Sequence, residues 1–434
     1  MAQKKISLIV VYVVMPVSFF VFVLIKGGDQ FSATKPNIVL ISIDTCRADH
    51  LGCYGFTKNT TPNIDQLAKE GILYEQAMTC TGYTLPSHSS MFTGTYPPYH
   101  GVHTNLSQQL AASNTTMAEM LKDAGYETAG FVSSFVLNHR FGIQQGFDIY
   151  DDGLDPVTGN RSEIERKGER TAKVALSFIK KQHDKPFFLF AHFYDPHVAF
   201  EPPEPFASQF SDDLYSGEIA YVDALVGKLI VALKESGHYD NSLIMIVSDH
   251  GEGLGEHGEA EHGYFIYQNT MQVPFIVKAP KKKTVAGLRV KEVVSTVDLL
   301  PTVLGFLDMD IPEEIQGIDL SKVGHNDFKL DPKRYVYCES MIPTKYGCNP
   351  LLGLVTQDFK FIETTRSELY DLDVMPLEKD NLIKKEVQRS KVMQQQLSHL
   401  TLSLISGNVK DDASLKLDRN SLKKLESMGY VGGG

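Results

Sequence analysis

Ser242-Leu243-Ile244-Met245-Ile246-Val247-Ser248-Asp249-His250-Gly251-Glu252-Gly253-Leu254-Gly255-Glu256-His257-Gly258 decides how the rest of the chain is read. Its first part is an unbroken apolar run, as expected of a strand buried on both faces. The run ends in a carboxylate beside an imidazole, carried on a glycine-rich loop that permits close backbone approach. Such a pair suits a divalent metal ion. In open α/β sheets ligands bind beyond the carboxyl ends of the strands, so this arrangement points to a parallel sheet with its site along that edge.

The arrangement recurs. Asn37-Ile38-Val39-Leu40-Ile41-Ser42-Ile43 is a second apolar run, with Asp44 at its end. Pro186-Phe187-Phe188-Leu189-Phe190-Ala191 is a third, and it leads into His192-Phe193-Tyr194-Asp195-Pro196-His197. An aspartate after a strand is also what a capped turn looks like, and a lone histidine in a turn is usually a solvated one. Thr79-Cys80-Thr81-Gly82-Tyr83-Thr84-Leu85-Pro86-Ser87-His88-Ser89-Ser90 reads as a turn running into a helix. Pro86 suits a first helical turn, and the serines are hydroxyls expected near a cap. The N–H groups and dipole of a helix start favour an anion, which the Thr84 hydroxyl would face.

Together these segments resemble the sulfatases of the alkaline phosphatase superfamily. Thr84, Pro86 and His88 fall on the nucleophile, proline and arginine positions of the signature Cys/Ser-x-Pro-x-Arg. Residues 38–63 and 243–263 resemble the family's two metal-binding segments, and Glu368-Leu369-Tyr370-Asp371-Leu372 resembles its C-terminal signature. The resemblance runs over roughly 36–434. It implies an α/β fold: a doubly wound, mostly parallel central sheet flanked by helices, with a smaller C-terminal α+β subdomain. The implied division is an anchor or signal peptide at 1–26, a catalytic domain at 36–325 and a subdomain at 326–434.

The same resemblance assigns Asp44, Thr84, Asp249 and His250 to a metal, and Thr84, His88 and His197 to catalysis. His197, on the leaving-group side, is expected to donate a proton to the departing oxygen. His257, His262 and Lys360 are expected to face substrate, although solvated histidines and a surface lysine would look the same. Three departures bear on the substrate. Threonine replaces the residue matured to formylglycine, Thr45 stands where many members carry a second aspartate, and no Lys-x-His pair appears near 141–148.

A threonine alcohol is scarcely ionised at neutral pH, and coordination to a cation lowers its pKa. A threonine ester cannot leave by the elimination open to formylglycine hydrate, whereas a phosphothreonine can be displaced by water or another acceptor. The expected activity is therefore metal-dependent hydrolysis or transfer at phosphoester (phosphodiester or phosphonate-type) or related anionic ester bonds. Sulfate ester hydrolysis and idle, metal-dependent binding of an anionic ligand are the rival readings. His250 brings nitrogen into an oxygen site, which favours one manganese or zinc ion, with calcium or magnesium as alternatives and a second metal left open. The expected partner is an anionic ester on a lipid headgroup, a glycan or a small molecule.

The chain has 434 residues, enough for one large domain or two unequal ones, and its net charge of −11 excludes general nucleic-acid binding. Residues 6–25 carry no charged side chain and follow Lys4 and Lys5, which reads as a membrane span with the N-terminus inside, or as a signal peptide. The expected localisation is a membrane-anchored protein with its catalytic domain outside the cytoplasm. Five scattered cysteines make no framework, though Cys338 and Cys348 are spaced to allow a pair.

Overall fold

The computed structural model describes residues 35–105, 108–154, 165–283, 285–325, 328–373 and 377–406. In chain order the strands are β1 Asn37–Ile43, β2 Ile72–Tyr74, β3 Ala77–Met78, β4 Glu127–Phe131, β5 Ile149–Asp151, β6 Phe187–Phe193, β7 Ser242–Val247, β8 Gln272–Val273, β9 Phe275–Lys278, β10 Leu288–Val290, β11 Val294–Ser295, β12 Val336–Ser340, β13 Leu351–Val355, β14 Phe359–Glu363 and β15 Glu368–Asp371. The helices are α1 Pro62–Glu70, α2 Thr84–Thr93, α3 Pro97–His100, α4 Met117–Asp123, α5 Gly168–Lys180, α6 Phe206–Gln209, α7 Leu214–Glu235, α8 Gln268–Met271, α9 Leu299–Phe306 and α10 Val387–Ser406.

Eight strands form the central sheet in the order β10-β2-β9-β7-β1-β6-β4-β5. Every pairing in it is parallel except those of β9 with β2 and β7. The unbroken apolar runs have a direct cause. Along β1, Ile38 and Leu40 enter one core, while Val39, Ile41 and Ile43 enter the other. Leu243, Met245 and Val247 alternate in the same way with Ile244 and Ile246 along β7. The first core is closed by α2, α4 and α9 through Leu85, Met117 and Leu300; the second by α1, α5 and α7 through Ile64, Phe178 and Leu225. Each such aliphatic side chain contributes about 1.5–3 kcal/mol when fully buried.

The C-terminal part is an antiparallel sheet, β12-β13-β14-β15. Met393 and Leu397 of α10 share a core with Tyr337, Leu354 and Phe361 of that sheet. It is joined to the main sheet's loops by the Glu339 N–H, which donates to the Cys80 carbonyl at 2.9 Å. Arg334 adds a two-pronged ion pair to the buried Asp298, at 2.7 and 2.6 Å.

Some expectations need correction. The sequence predicts one strand over 72–78, but the chain turns at Glu75 and Gln76, and β2 and β3 join different sheets. Cys338 is buried, Cys348 is exposed, and the two do not pair. No helix among the described residues is long and apolar enough to cross a membrane. That finding corrects the expectation of a membrane-anchored protein. The segment 6–25 lies outside the described residues.

Candidate active site

The fold explains why distant loops meet. β7, β1 and β6 are neighbours and run parallel, with Ser42 in register with both Val247 and His192. Their carboxyl ends share one edge, so Asp44, Asp249, His250, His192 and His197 arrive together. Helix α2 supplies Thr84 as its first residue, after a Tyr83 cap. It is pinned to the strand ends by the Ser87 hydroxyl, which donates to the Asp249 carbonyl at 2.8 Å. Gly263, at φ 96°, passes over Tyr83; a Cβ there would lie 2.4 Å from the ring, so only glycine brings the His262 loop this close.

Asp44, Thr84, Asp249 and His250 are all fully buried. One ligand atom from each of Asp44, Asp249 and His250 lies within 4.8 Å of the others. Asp249 Oδ1 accepts the N–H groups of His250 at 2.9 Å and Thr45 at 3.2 Å. Thr45 adopts φ 53°. Asp249 Oδ2 and Asp44 Oδ1 are buried without a hydrogen-bond partner among the described residues. His250 Nδ1 lies 3.0 Å from the Gly251 carbonyl, so it carries the proton and leaves the Nε2 lone pair facing the carboxylates. Thr84 Oγ1 lies 3.5 Å from Asp44 Oδ2 and 3.4 Å from His250 Nε2, long for hydrogen bonds. Two unpaired carboxylate oxygens, a bare imidazole nitrogen and a hydroxyl fit a divalent cation. Without one, burial and then the neighbouring Asp249 push the Asp44 carboxyl well above its ordinary value. Burial works upward on Asp249 too, but His250, His88 and His192 outweigh it and hold that carboxyl below the usual range.

A second cluster, His88, His192 and Asp249, is a poorer fit. His88 Nδ1 sits 2.8 Å from the Thr84 carbonyl and must carry its hydrogen, while Nε2 meets the Ser42 hydroxyl at 2.9 Å. Neither nitrogen is available. Burial lowers the His88 pKa to about 4. Both ring nitrogens of His88 are thus engaged, and the residue ties α2 to β1 through the Ser42 hydroxyl.

The other sequence candidates divide. His197 and His262 are brought in: the His262 ring lies 4.4 Å from His250 and 5.0 Å from His197. His262 Nδ1 lies 3.2 Å from Glu252 Oε1. Burial lowers the pKa of His262 to about 4 and of His197 to about 3. His197 Nδ1 lies 3.0 Å from the Val198 carbonyl, and Nε2 is buried without a partner among the described residues. As placed, with Nδ1 on the Val198 carbonyl, Nε2 is a lone pair that can accept a hydrogen bond. His257 stacks on Tyr267 at 3.9 Å and lines a separate cavity with Arg47, Gln268 and Glu378. Lys360 is wholly buried, paired with Glu378 at 3.1 Å and with Gln268 Oε1 at 3.2 Å. Its charge is satisfied within the C-terminal packing and not at a solvent-facing surface.

The sequence also left residues unassigned. His192, inside β6, places Nε2 3.1 Å from Asp44 Oδ2 and so donates to a carboxylate of the cluster. Its position in an apolar strand concealed it. Nor do the α2 serines cap the helix: Ser89 bonds the Leu85 carbonyl and Ser90 meets His100.

Comparison with known proteins gives a consistent picture. The sulfatase family profile matches residues 36–309, and the profile of the N-sulphoglucosamine sulphohydrolase C-terminal region matches 255–404. The ulvan-active sulfatase of Formosa agariphila is 27% identical over 406 residues, covering 82% of this chain and 78% of its own. A structure solved with its substrate D-glucosamine-2-N,6-O-disulfate superposes with a TM-score of 0.72 at 21% identity, over 87% of this chain and 99% of that one. The phosphonate monoester hydrolase of Agrobacterium radiobacter gives 0.70 at 22%, over 86% and 96%. At these identities the superpositions show a shared fold.

Proposed function

The chain belongs to the sulfatase family of ester hydrolases, and on that footing we propose that it cleaves phosphodiester, phosphonate-type or related anionic ester bonds through Thr84. The observation that carries the reading is the placement of Thr84 Oγ1 at the head of α2, 3.5 Å from Asp44 Oδ2 and 3.4 Å from His250 Nε2. When bound, a divalent cation supplies Lewis acidity that lowers the pKa of a hydroxyl it touches and neutralises nearby carboxylates. Asp44, Asp249, Thr84 and His250 offer three oxygens and one nitrogen, a set that suits manganese or zinc better than calcium. Thr84 Oγ gives up its proton to solvent and attacks phosphorus in line, and the bond to the leaving oxygen breaks as that oxygen takes a proton from solvent. Water then displaces the threonine oxygen, its proton passing to that oxygen, and the His197 Nε2 lone pair accepts a hydrogen bond from the water and orients it. His192 keeps Asp44 oriented throughout. His262, held by Glu252, forms one wall of the site.

Sulfate ester hydrolysis is the second reading, favoured by the relatives' names, since a sulfate ester has the same tetrahedral, monoanionic shape. A panel of nitrophenyl esters on manganese-loaded protein separates the two. The phosphodiester and phosphonate esters are expected to turn over at least about tenfold faster in kcat/KM than the sulfate, a difference of 1.4 kcal/mol in transition-state stabilisation. Faster release from the sulfate would overturn the phosphoryl reading. Metal binding with no turnover on any ester would leave an idle binding protein.

A further inference from the structure

The loop that carries His197 is tied down on both sides of that residue, each time by a buried carboxyl group. Before it, Asp195 Oδ1 accepts the Gly168 N–H at the start of α5, at 3.0 Å. After it, the Glu201 N–H donates to Glu218 Oε1 of α7 at 2.7 Å. Asp195 is 8% exposed and Glu218 2%. Gly168 lets the first group in, since a Cβ there would collide with Asp195 Oδ2. That Oδ2 is buried without a hydrogen-bond partner among the described residues.

The charges around this pair do not match it. Among the described residues, Lys167, just ahead of α5, is the cation that acts on both carboxyl groups, and it pairs with Glu165 at 3.3 Å. Glu169 on α5 and Tyr221 on α7 also titrate beside them, and neither brings a positive charge. Glu165, Asp195 and Glu218 thus face one lysine. A buried carboxylate without a counter-ion is costly, and such a group keeps its proton instead. Burial pushes the Asp195 carboxyl up to about 6. Burial and then the Asp195 charge push Glu218 up to about 8.

We infer that Glu218 is a positioning residue for His197 that works as the neutral acid: while it keeps its proton the 195–201 loop stays packed on α7, and loss of the proton releases the loop. Ionised Glu218 would still accept the Glu201 N–H. What fails is its burial. A second negative charge beside Asp195 has to be hydrated, and water reaches it only if the loop parts from α7. By linkage, a carboxyl raised in the folded state contributes stability that is present below its ordinary 4.5 and is lost as the pH climbs through about 8. The consequence for turnover rests on the part proposed for His197; the behaviour of the loop does not.

Hydrogen exchange at the amides of residues 195–201 reads the loop directly. Corrected for the intrinsic rise of exchange with pH, wild-type protection is expected to change little up to about pH 7 and to fall about tenfold by about pH 9, the limit for release coupled to one proton. Glu218→Gln keeps an oxygen for the Glu201 N–H and cannot ionise, so its protection should stay level across that range. Asp195→Asn removes the like charge, so its fall should be centred at a lower pH than in the wild type. A carboxyl that only braced the loop would change the amount of protection in these variants and not its dependence on pH. On the best ester of the panel, with saturating manganese, wild-type kcat/KM should fall with the loop above about pH 8, while Glu218→Gln should keep its neutral-pH value to about pH 9. Loss of protection in Glu218→Gln with the same pH dependence as the wild type overturns the inference. If exchange behaves as expected while Glu218→Gln keeps the wild-type alkaline fall in kcat/KM, the inference stands and the role given to His197 fails, so the two failures are distinguishable.

Discussion

Thr84→Ala in manganese-loaded protein is expected to lower kcat/KM for a phosphodiester by about 10⁴-fold or more, the scale found when a nucleophile that works with its neighbours is removed. Folding should scarcely change. The Thr84 hydroxyl makes two long contacts, at 3.5 and 3.4 Å, so little hydrogen-bond energy is lost with it. Thr84→Ser is the control. It keeps a hydroxyl on the same Cβ while removing a methyl group, and its kcat/KM should stay within about tenfold of wild type. Steady-state kinetics on the three proteins, with metal content measured on each, decides the matter. Turnover by Thr84→Ala within tenfold of wild type would remove the hydroxyl from the mechanism.

Asp44→Asn is expected to move metal affinity and apoprotein stability in opposite directions. Asp44 Oδ1 and Asp249 Oδ2 are both buried without hydrogen-bond partners among the described residues. Burial, then the Asp249 charge, raises the Asp44 pKa in the folded state above the ordinary 3.8. By linkage, such a carboxyl contributes stability that is fully present below the unfolded-state pKa and is lost as the pH climbs through the raised value. The metal-free wild type should therefore lose stability from about pH 4 upward, and Asp44→Asn should lack this component. At neutral pH the variant apoprotein should be about 1–3 kcal/mol more stable than wild-type apoprotein, since it no longer buries two facing carboxylates without a counter-ion. Its manganese affinity should fall by at least the 10–100-fold that loss of even an outer partner costs a metal site. Urea unfolding with a chelator, at acidic and neutral pH, and a metal titration give both quantities. A destabilised variant apoprotein, or unchanged metal affinity, would count against Asp44 as a ligand.

What the sequence disclosed follows from which interactions are local. The central strands were legible because β1 and β7 are buried on both faces, which leaves no polar alternation to confuse the pattern. The placement of Asp249 and His250 at the carboxyl edge of the sheet was legible because they follow β7 directly. The surroundings of His88 were not legible because its partner Ser42 lies 46 residues away, on β1. The burial of Lys360 was not legible because its partner Glu378 arrives from beyond β15. His192 went unassigned because a histidine inside an apolar run looks like core until its neighbour across the sheet is known.

The stereochemical course at phosphorus tests most directly whether Thr84 takes the phosphoryl group before water does. A thiophosphate diester of defined configuration, hydrolysed by manganese-loaded protein in isotopically labelled water, reports that course whether or not an intermediate accumulates. Two successive in-line displacements, on Thr84 and then from it, predict net retention. Inversion would mean a single direct attack by water, and Thr84 would have no covalent part in the reaction.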